Sequence, residues 1–443
     1  MILLHGLGGA QDLPVSVPVA VTGGTIAVAA TFIILALAWR SPRFEGPRMG
    51  SGTTGRITRV LDSPLWDHAM AILGLLFFGW CTWALLSGGN VNTNPVFGTF
   101  YVLVWVGVLP LSLLFGRVAR ALSPWRTLTR LRCRITGVSP DQGLLPYPSW
   151  LGYWPASLGL FAFVWQELVS TDQVSLPAVQ LWLGIYALAM IAGSTVFGLT
   201  WLDHADPFQV YSDLLAKLSP WGRDDHGALL LRSPLSNLAT LQPSPGLIAT
   251  LAILFGSTIY DSAKDSVVWT NYAASLPIGP IAVGTLALMV SWAAVSVTFM
   301  IGASFNGPTA VPWRQLPGLL APSLLPVIAG YMAAHYLSYF VLQGQITITQ
   351  LSDPLSTGAN YLGTSDISVN LWLMLHPTLL ASLKVILIVI GHVVGAVSAH
   401  DRTLALVASA KQPPERRALP AGKAMGFLML LYTFTGLTLL FGI

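Results

Sequence analysis

The chain has 443 residues, of which 54% are hydrophobic and only 9% charged, against roughly a quarter charged in an ordinary soluble protein. That composition excludes a soluble enzyme: apolar stretches of about twenty residues, enough to cross ~30 Å of hydrocarbon, recur along the whole chain with no long polar region between them. The net charge of +4 and pI of 9.1 reflect where basic residues sit around these stretches, so they signal topology and no nucleic-acid partner is expected.

In chain order, Met1 to Leu4 are too few for a signal peptide. They read as the tail of a longer hydrophobic leader, whose removal leaves an exported N-terminus bearing His5. His5-Gly6-Leu7-Gly8-Gly9 superficially matches a lipase oxyanion loop, but no GxSxG elbow accompanies it and a flexible glycine turn is the better reading. Ten spans follow, near 17 to 39, 69 to 88, 96 to 116, 150 to 169, 178 to 200, 245 to 262, 279 to 303, 316 to 342, 371 to 397 and 423 to 443. They must be helices. Backbone groups in hydrocarbon have to be paired within their own segment or in a closed barrel, and the alternation of barrel strands is absent. The expected fold is therefore all-α: one polytopic transmembrane helical bundle over residues 1 to 443.

Orientation follows from the connections. With both termini outside, every Lys and Arg except Lys264 and Lys384 falls in an inner loop or at its edge, as positive residues on the cytoplasmic side require. Adding or removing one span would exchange the sides of all later loops and destroy this asymmetry. Asp12, Glu167, Asp172, Asp261, Asp265, Asp353 and Asp366 fall on or near the outer face and leave it net acidic. The inner segment 201 to 244 places Phe208, Tyr211, Leu214, Leu215 and Leu218 on one side of a short helix, read either as an amphipathic helix on the inner leaflet or as a packed loop helix. The outer loop 343 to 370, rich in Ser, Thr, Gly and Asn, is the candidate lid over an outer site. The localisation expected is multi-pass in a bacterial inner (plasma) membrane, with the bilayer itself as partner.

Several chemistries lack support. No GxxxxGK[ST], HExxH or GxGxxG occurs, and Cys81 and Cys133 match neither a CxxC nor a zinc spacing. Ionisable groups inside apolar spans are more informative, because each costs several kcal/mol unless paired or hydrated. Glu167, Asp261, His335 and Lys384 qualify, and His376 enters near the outer end of the ninth span. His335, Asp261 and His376 are the candidate catalytic residues. With Asp353 and His5 they are also candidate ligands of a divalent metal, zinc or copper, whose bound water would be the nucleophile; a hydrogen-bonded membrane histidine is the plainer alternative. His376, Lys384, His392 and His400 recur every eight residues, which suggests a relay. Eight residues advance roughly two turns plus 80°, so these side chains cannot share one face. His392, beside Gly391 and Gly395, instead marks close helix packing.

A resemblance adds to this. The strings His5-Gly6-Leu7-Gly8-Gly9 to Asp12-Leu13-Pro14, Asp206-Pro207-Phe208 to Ser219-Pro220-Trp221, Phe255-Gly256-Ser257-Thr258-Ile259-Tyr260-Asp261-Ser262, Ala334-His335-Tyr336-Leu337-Ser338, Ser352-Asp353-Pro354-Leu355 and Gly391-His392 to Ala399-His400-Asp401-Arg402 resemble bacterial polytopic membrane proteins labelled fenitrothion hydrolase. The resemblance implies hydrolysis of an apolar phosphorothioate aryl ester that reaches an outward-facing cavity from the lipid. Three alternatives remain open: a membrane transporter, a copper- or metal-handling protein, and an integral subunit of an electron-transfer complex.

Overall fold

The computed structural model describes residues 9–44, 51–52, 55–141, 143–224, 226–305, 311–409 and 423–441. They are overwhelmingly helical, as the pairing requirement in hydrocarbon demands. Seven of the described helices are long and apolar enough to cross a membrane, or eight if the bent pair Pro95–Val104 and Val108–Phe115 forms one span. The other two stretches expected to span are helices as well. Trp154–Leu168 has only 15 residues, and Leu247–Lys264 ends in the charged pair Asp261 and Lys264.

The bend of 44° in Pro95–Val104 and Val108–Phe115 has a local cause. Thr99–Val104 is wound as a π-helix, and the amide of Gly107 reaches back five residues to the Val102 carbonyl at 2.8 Å. Such single π turns interrupt the regular ladder and redirect a helix. A Cβ on Gly107 would lie 2.5 Å from the Leu103 carbonyl oxygen, so the bend needs glycine there.

The chain divides into two compact units. The first comprises Met1–Gly50, Arg232–Ser338 and Trp372–Ile443. In it Val17–Ala38 packs on Pro377–Ser409 and Lys423–Leu440, while Leu247–Lys264 packs along Pro280–Ser304. Small residues permit the tightest crossing. A Cβ on Gly330 would meet the Leu387 carbonyl oxygen at 2.5 Å, and one on Gly391 would meet that of Pro326 at 2.6 Å, the close backbone approach typical of membrane helix pairs. Asp401 closes the end of this bundle: its carboxylate accepts from Trp39 Nε1 at 3.1 Å, Arg43 N at 2.7 Å and Phe44 N at 3.1 Å. His400 Nε2 donates to the Trp39 carbonyl at 2.9 Å.

The second unit comprises Ser51–Leu231 and Tyr339–Leu371. Its core is aromatic, with Phe100, Tyr101, Trp105, Phe163, Phe208 and Tyr211 all buried and meeting edge to face or tilted at ring separations such as 4.9 Å for Phe100–Phe163. A small antiparallel sheet pairs Leu229–Leu231 with Ser51–Gly52 on one side and Trp221–Arg223 on the other. Arg223 is paired there with Asp62, which holds the Asp62 carboxyl below the usual carboxylate range. In the segment 201 to 244, Pro207–Leu215 buries eight residues, among them Phe208, Tyr211, Ser212 and Leu215. It is thus a packed helix, and the reading of a helix lying on the leaflet is corrected. Its moment comes from polar Gln209 and Ser212, and these are satisfied inside the unit by Asp203 and Ser112.

The loop expected from 343 also begins later, because Leu324–Gln350 continues as helix to residue 350. Polar side chains there bond within the helix, as Thr347 Oγ1 does to the Gln343 carbonyl at 2.7 Å. Beyond it the loop is well organised. Buried Ser352 donates to Asn360 at 2.6 Å and accepts the Leu362 amide at 2.9 Å.

Asp206, outside the helices long enough to cross a membrane, caps Pro207–Leu215 by accepting the Phe208 and Gln209 amides, and it also accepts the Tyr186 hydroxyl at 2.9 Å. Burial pushes its carboxyl up to about 6, outweighing the pull of these donors. Between roughly pH 4 and 6 the folded chain therefore keeps a proton that the unfolded chain has lost, so stability falls as pH rises through that window and stays lower above it. Asp206→Asn preserves the Oδ1 acceptor. It is expected to flatten this pH slope and to melt no lower than wild type near pH 7.5, as read by thermal unfolding in detergent across pH 4 to 8.

Candidate functional site

The centre forms where Leu247–Lys264 and Leu324–Gln350 meet within the first unit. Asp261 lies one turn before the end of the first helix and is 5% exposed; His335 lies near the middle of the second and is 7% exposed. His335 Nε2 is 2.9 Å from Asp261 Oδ2, which also accepts the Tyr336 hydroxyl at 3.0 Å. Asp261 Oδ1 lies 3.4 Å from Lys264 Nζ, one turn along the same helix, and Lys264 is also 3.1 Å from Asp265. On the far side of the imidazole, Nδ1 is 3.1 Å from Ser262 Oγ. Tyr331 donates to that same oxygen at 2.9 Å, and Ser262 bonds the Thr258 carbonyl at 2.8 Å. The imidazole ring is stacked over Tyr331 and edge-on to Tyr336.

One chain of polar groups therefore runs Tyr331, Ser262, His335, Asp261, Lys264. A carboxylate on one ring nitrogen fixes the tautomer and stabilises the imidazolium, leaving the other nitrogen facing a hydroxyl. As placed, the Ser262 hydroxyl gives its proton to the Thr258 carbonyl; turned onto Nδ1 instead, it would let the imidazole take up that proton and return it. Sequence reasoning found Asp261 and His335 but missed Ser262, Tyr331 and Tyr336. The signal for them was spacing: Tyr331 and His335, like Thr258 and Ser262, are four apart and share a helix face.

The remaining expected site residues are placed differently. His376 is exposed, bonds the Trp372 carbonyl through Nδ1 at 2.7 Å and stacks obliquely on the Trp372 ring. Asp353 belongs to the second unit, where its carboxylate accepts the Thr357 amide at 2.9 Å and the Gly358 amide at 2.6 Å. Burial, the largest single effect, pushes its carboxyl up, but the Thr357, Gly358 and Ala359 amides and the Thr357 hydroxyl together outweigh it and hold the group below the usual carboxylate range. It closes a turn. His5 lies outside the described residues. Among the described residues no group of three or more His, Cys, Asp or Glu side chains could hold a metal ion, and the joined pair of one imidazole and one carboxylate is short of the three protein ligands of catalytic zinc sites.

Lys384 is 3% exposed on Pro377–Ser409, two turns from its start, against which the short helix Ala10–Asp12 packs. Asp12 is the carboxylate whose field reaches it. Glu167 belongs to the second unit, within the electrostatic reach of Tyr101 and Tyr211. His392 is fully buried and bonds the Ile388 carbonyl at 2.9 Å, beside the Gly330–Gly391 crossing.

No protein-family model, no curated protein and no solved structure matches this chain.

Asp261 ties three neighbours together, so its loss should cost far more than that of any one donor. Asp261→Leu deprives His335, Tyr336 and Lys264 of this shared acceptor and should destabilise by about 3–5 kcal/mol, whereas Tyr336→Phe should cost about 1 kcal/mol. Denaturant unfolding of the purified variants in mixed micelles measures both, and equal effects would contradict a carboxylate at the hub.

Proposed function

We propose that this chain is an integral protein of the bacterial inner membrane, with ten spans and both termini outside, that hydrolyses apolar organophosphorus esters at the Asp261–His335 centre. The observation that carries the reading is the imidazole of His335 held between a carboxylate and a hydroxyl, a geometry suited to general-base activation of an attacking oxygen. Asp261 orients the ring and offsets the charge it gains. Lys264 and Tyr336 in turn hold the Asp261 carboxylate in place. The exclusion of nearly all Lys and Arg from the expected outer loops supports the ten-span orientation. An uncharged phosphorothioate triester partitions into lipid and would reach such a centre from the bilayer. A metal-assisted form of the reaction would need a third protein ligand beside Asp261 and His335.

A second reading, proton-coupled transport, is favoured by the bent pair Pro95–Val104 and Val108–Phe115, because interrupted spans are where many transporters hold substrate. The same His335–Asp261 relay would then carry the coupled proton.

Release of nitrophenol from fenitrothion by membranes containing the expressed chain separates the readings. Hydrolysis above that of empty-vector membranes, falling at least roughly a hundredfold in His335→Ala and Asp261→Asn, is the expected result. No hydrolysis in wild type, with substrate-dependent proton uptake into vesicles abolished by the same variants, would overturn the hydrolase in favour of the transporter.

A further inference from the structure

The helix Pro124–Thr136, in the second unit, begins at Ser123, whose hydroxyl accepts the Arg126 amide, and stops at Gly137 with φ of 72°. It packs on Pro64–Ser87 and Leu176–Phe197, two of the helices long and apolar enough to cross a membrane. Trp125, Arg126, Thr129 and Cys133 face inward and are buried. The opposite face is apolar and open: Leu128, Leu131 and Ile135 are 37%, 50% and 78% exposed, and Val138 just beyond is 49% exposed.

The basic residues around this helix divide into two sets. Arg117 and Arg120 pair with Asp213, and Arg120 and Arg126 with Asp203. Arg132 is turned onto the Leu176–Phe197 helix, bonding the Ser194 carbonyl at 3.0 Å and the Thr195 hydroxyl. Arg130 and Arg134 are exposed, and among the described residues neither has an ion pair or a side-chain hydrogen bond. At ~100° per residue these two lie side by side, one turn apart, roughly 100° and 60° round the helix from Leu131 at the near side of the Leu128, Leu131 and Ile135 stripe. Open leucines beside unpaired guanidinium groups suit a place where hydrocarbon meets anionic oxygen.

We propose that this face of Pro124–Thr136 binds anionic phospholipid at the membrane interface, with Leu128, Leu131 and Ile135 against the acyl chains and Arg130 and Arg134 on the headgroup phosphate. Three features argue for lipid as the occupant. The apolar stripe adjoins helices whose own outer faces expose Leu73, Leu76, Ile185 and Leu188, so it continues a surface already fitted to lipid. Among the described residues the two cations have no carboxylate to neutralise them. A guanidinium also takes a phosphate in a bidentate fork that an ammonium cannot reproduce. The assignment is independent of the chemistry at His335.

The test is native mass spectrometry of the full chain in detergent with added phosphatidylglycerol or phosphatidylcholine. Wild type should retain the anionic lipid at least about tenfold better, since each basic residue near the surface adds to the attraction. Arg130→Gln with Arg134→Gln should lower that preference by about the same factor without changing the melting temperature, because both side chains are exposed. Leu131→Ser with Ile135→Ser should weaken retention of both lipids. Millimolar inorganic phosphate should leave phosphatidylglycerol bound; its displacement would assign the arginines to a free anion and overturn the lipid. Equal retention of the two lipids by wild type, or an unchanged preference in the arginine double variant, would also overturn it, and the second outcome would leave the face to a protein partner.

Discussion

Everything at the candidate centre depends on one carboxylate. An ionised Asp261 buried among apolar helices would be costly alone, since several kcal/mol of hydration are lost on burial. Its two oxygens are met by His335, Tyr336 and Lys264. That requirement fixes the register between Leu247–Lys264 and Leu324–Gln350, because sliding either helix by one residue would carry its donors about 100° around the axis. Ser262 and Tyr331 then fall on the far side of the imidazole as a consequence of the same register. The centre's polarity and the packing of its two helices are thus one problem with one solution.

The second unit solves a similar problem with opposite sign. Arg126 is 4% exposed, and a buried guanidinium needs acceptors as urgently as a buried carboxylate needs donors. Asp203 supplies them, at 2.5 Å from Arg126 and 3.1 Å from Arg120, while Gln209 donates to the same carboxylate. Charges that the sequence places in one basic loop are consequently not equivalent. Those with an acidic partner are structural, and Arg130 and Arg134, which have none among the described residues, are left for something outside the chain.

The helices were legible because length and apolarity are what a membrane-crossing helix requires, and each stretch expected to span contains helix, seven of the described helices being long and apolar enough to cross a membrane. What escaped was whatever hydropathy does not encode. The bend near Gly107 depends on a π turn within a run as apolar as its neighbours. The extension of Leu324–Gln350 to residue 350 depends on Gln and Thr side chains bonding along their own helix, where polarity alone reads as loop. Pro207–Leu215 has the moment of a surface helix, yet its polar face meets partners inside the unit. At the centre, Asp261 and His335 stood out as rare ionisable residues in apolar surroundings. Ser262, Tyr331 and Tyr336 did not, because hydroxyls are common in membrane helices and only contact distinguishes the ones that matter.

The same distinction bears on which chemistry the centre suits. Five side chains were candidate ligands along the sequence, but a side chain that closes its own local structure has little left to offer. Asp353 spends its carboxylate on the amides of its turn, and His376 has one ring nitrogen on the carbonyl one helical turn before it. Asp261 and His335 remain joined to each other. A pair with a hydroxyl on one flank and a lysine on the other is equipped to move a proton between an oxygen and an imidazole while the carboxylate absorbs the change in charge. Proton movement is also what hydrolysis and proton-coupled transport share. Both are proposals for this chain, and the choice between them rests on what reaches Ser262 and His335, because the pair alone would suit either.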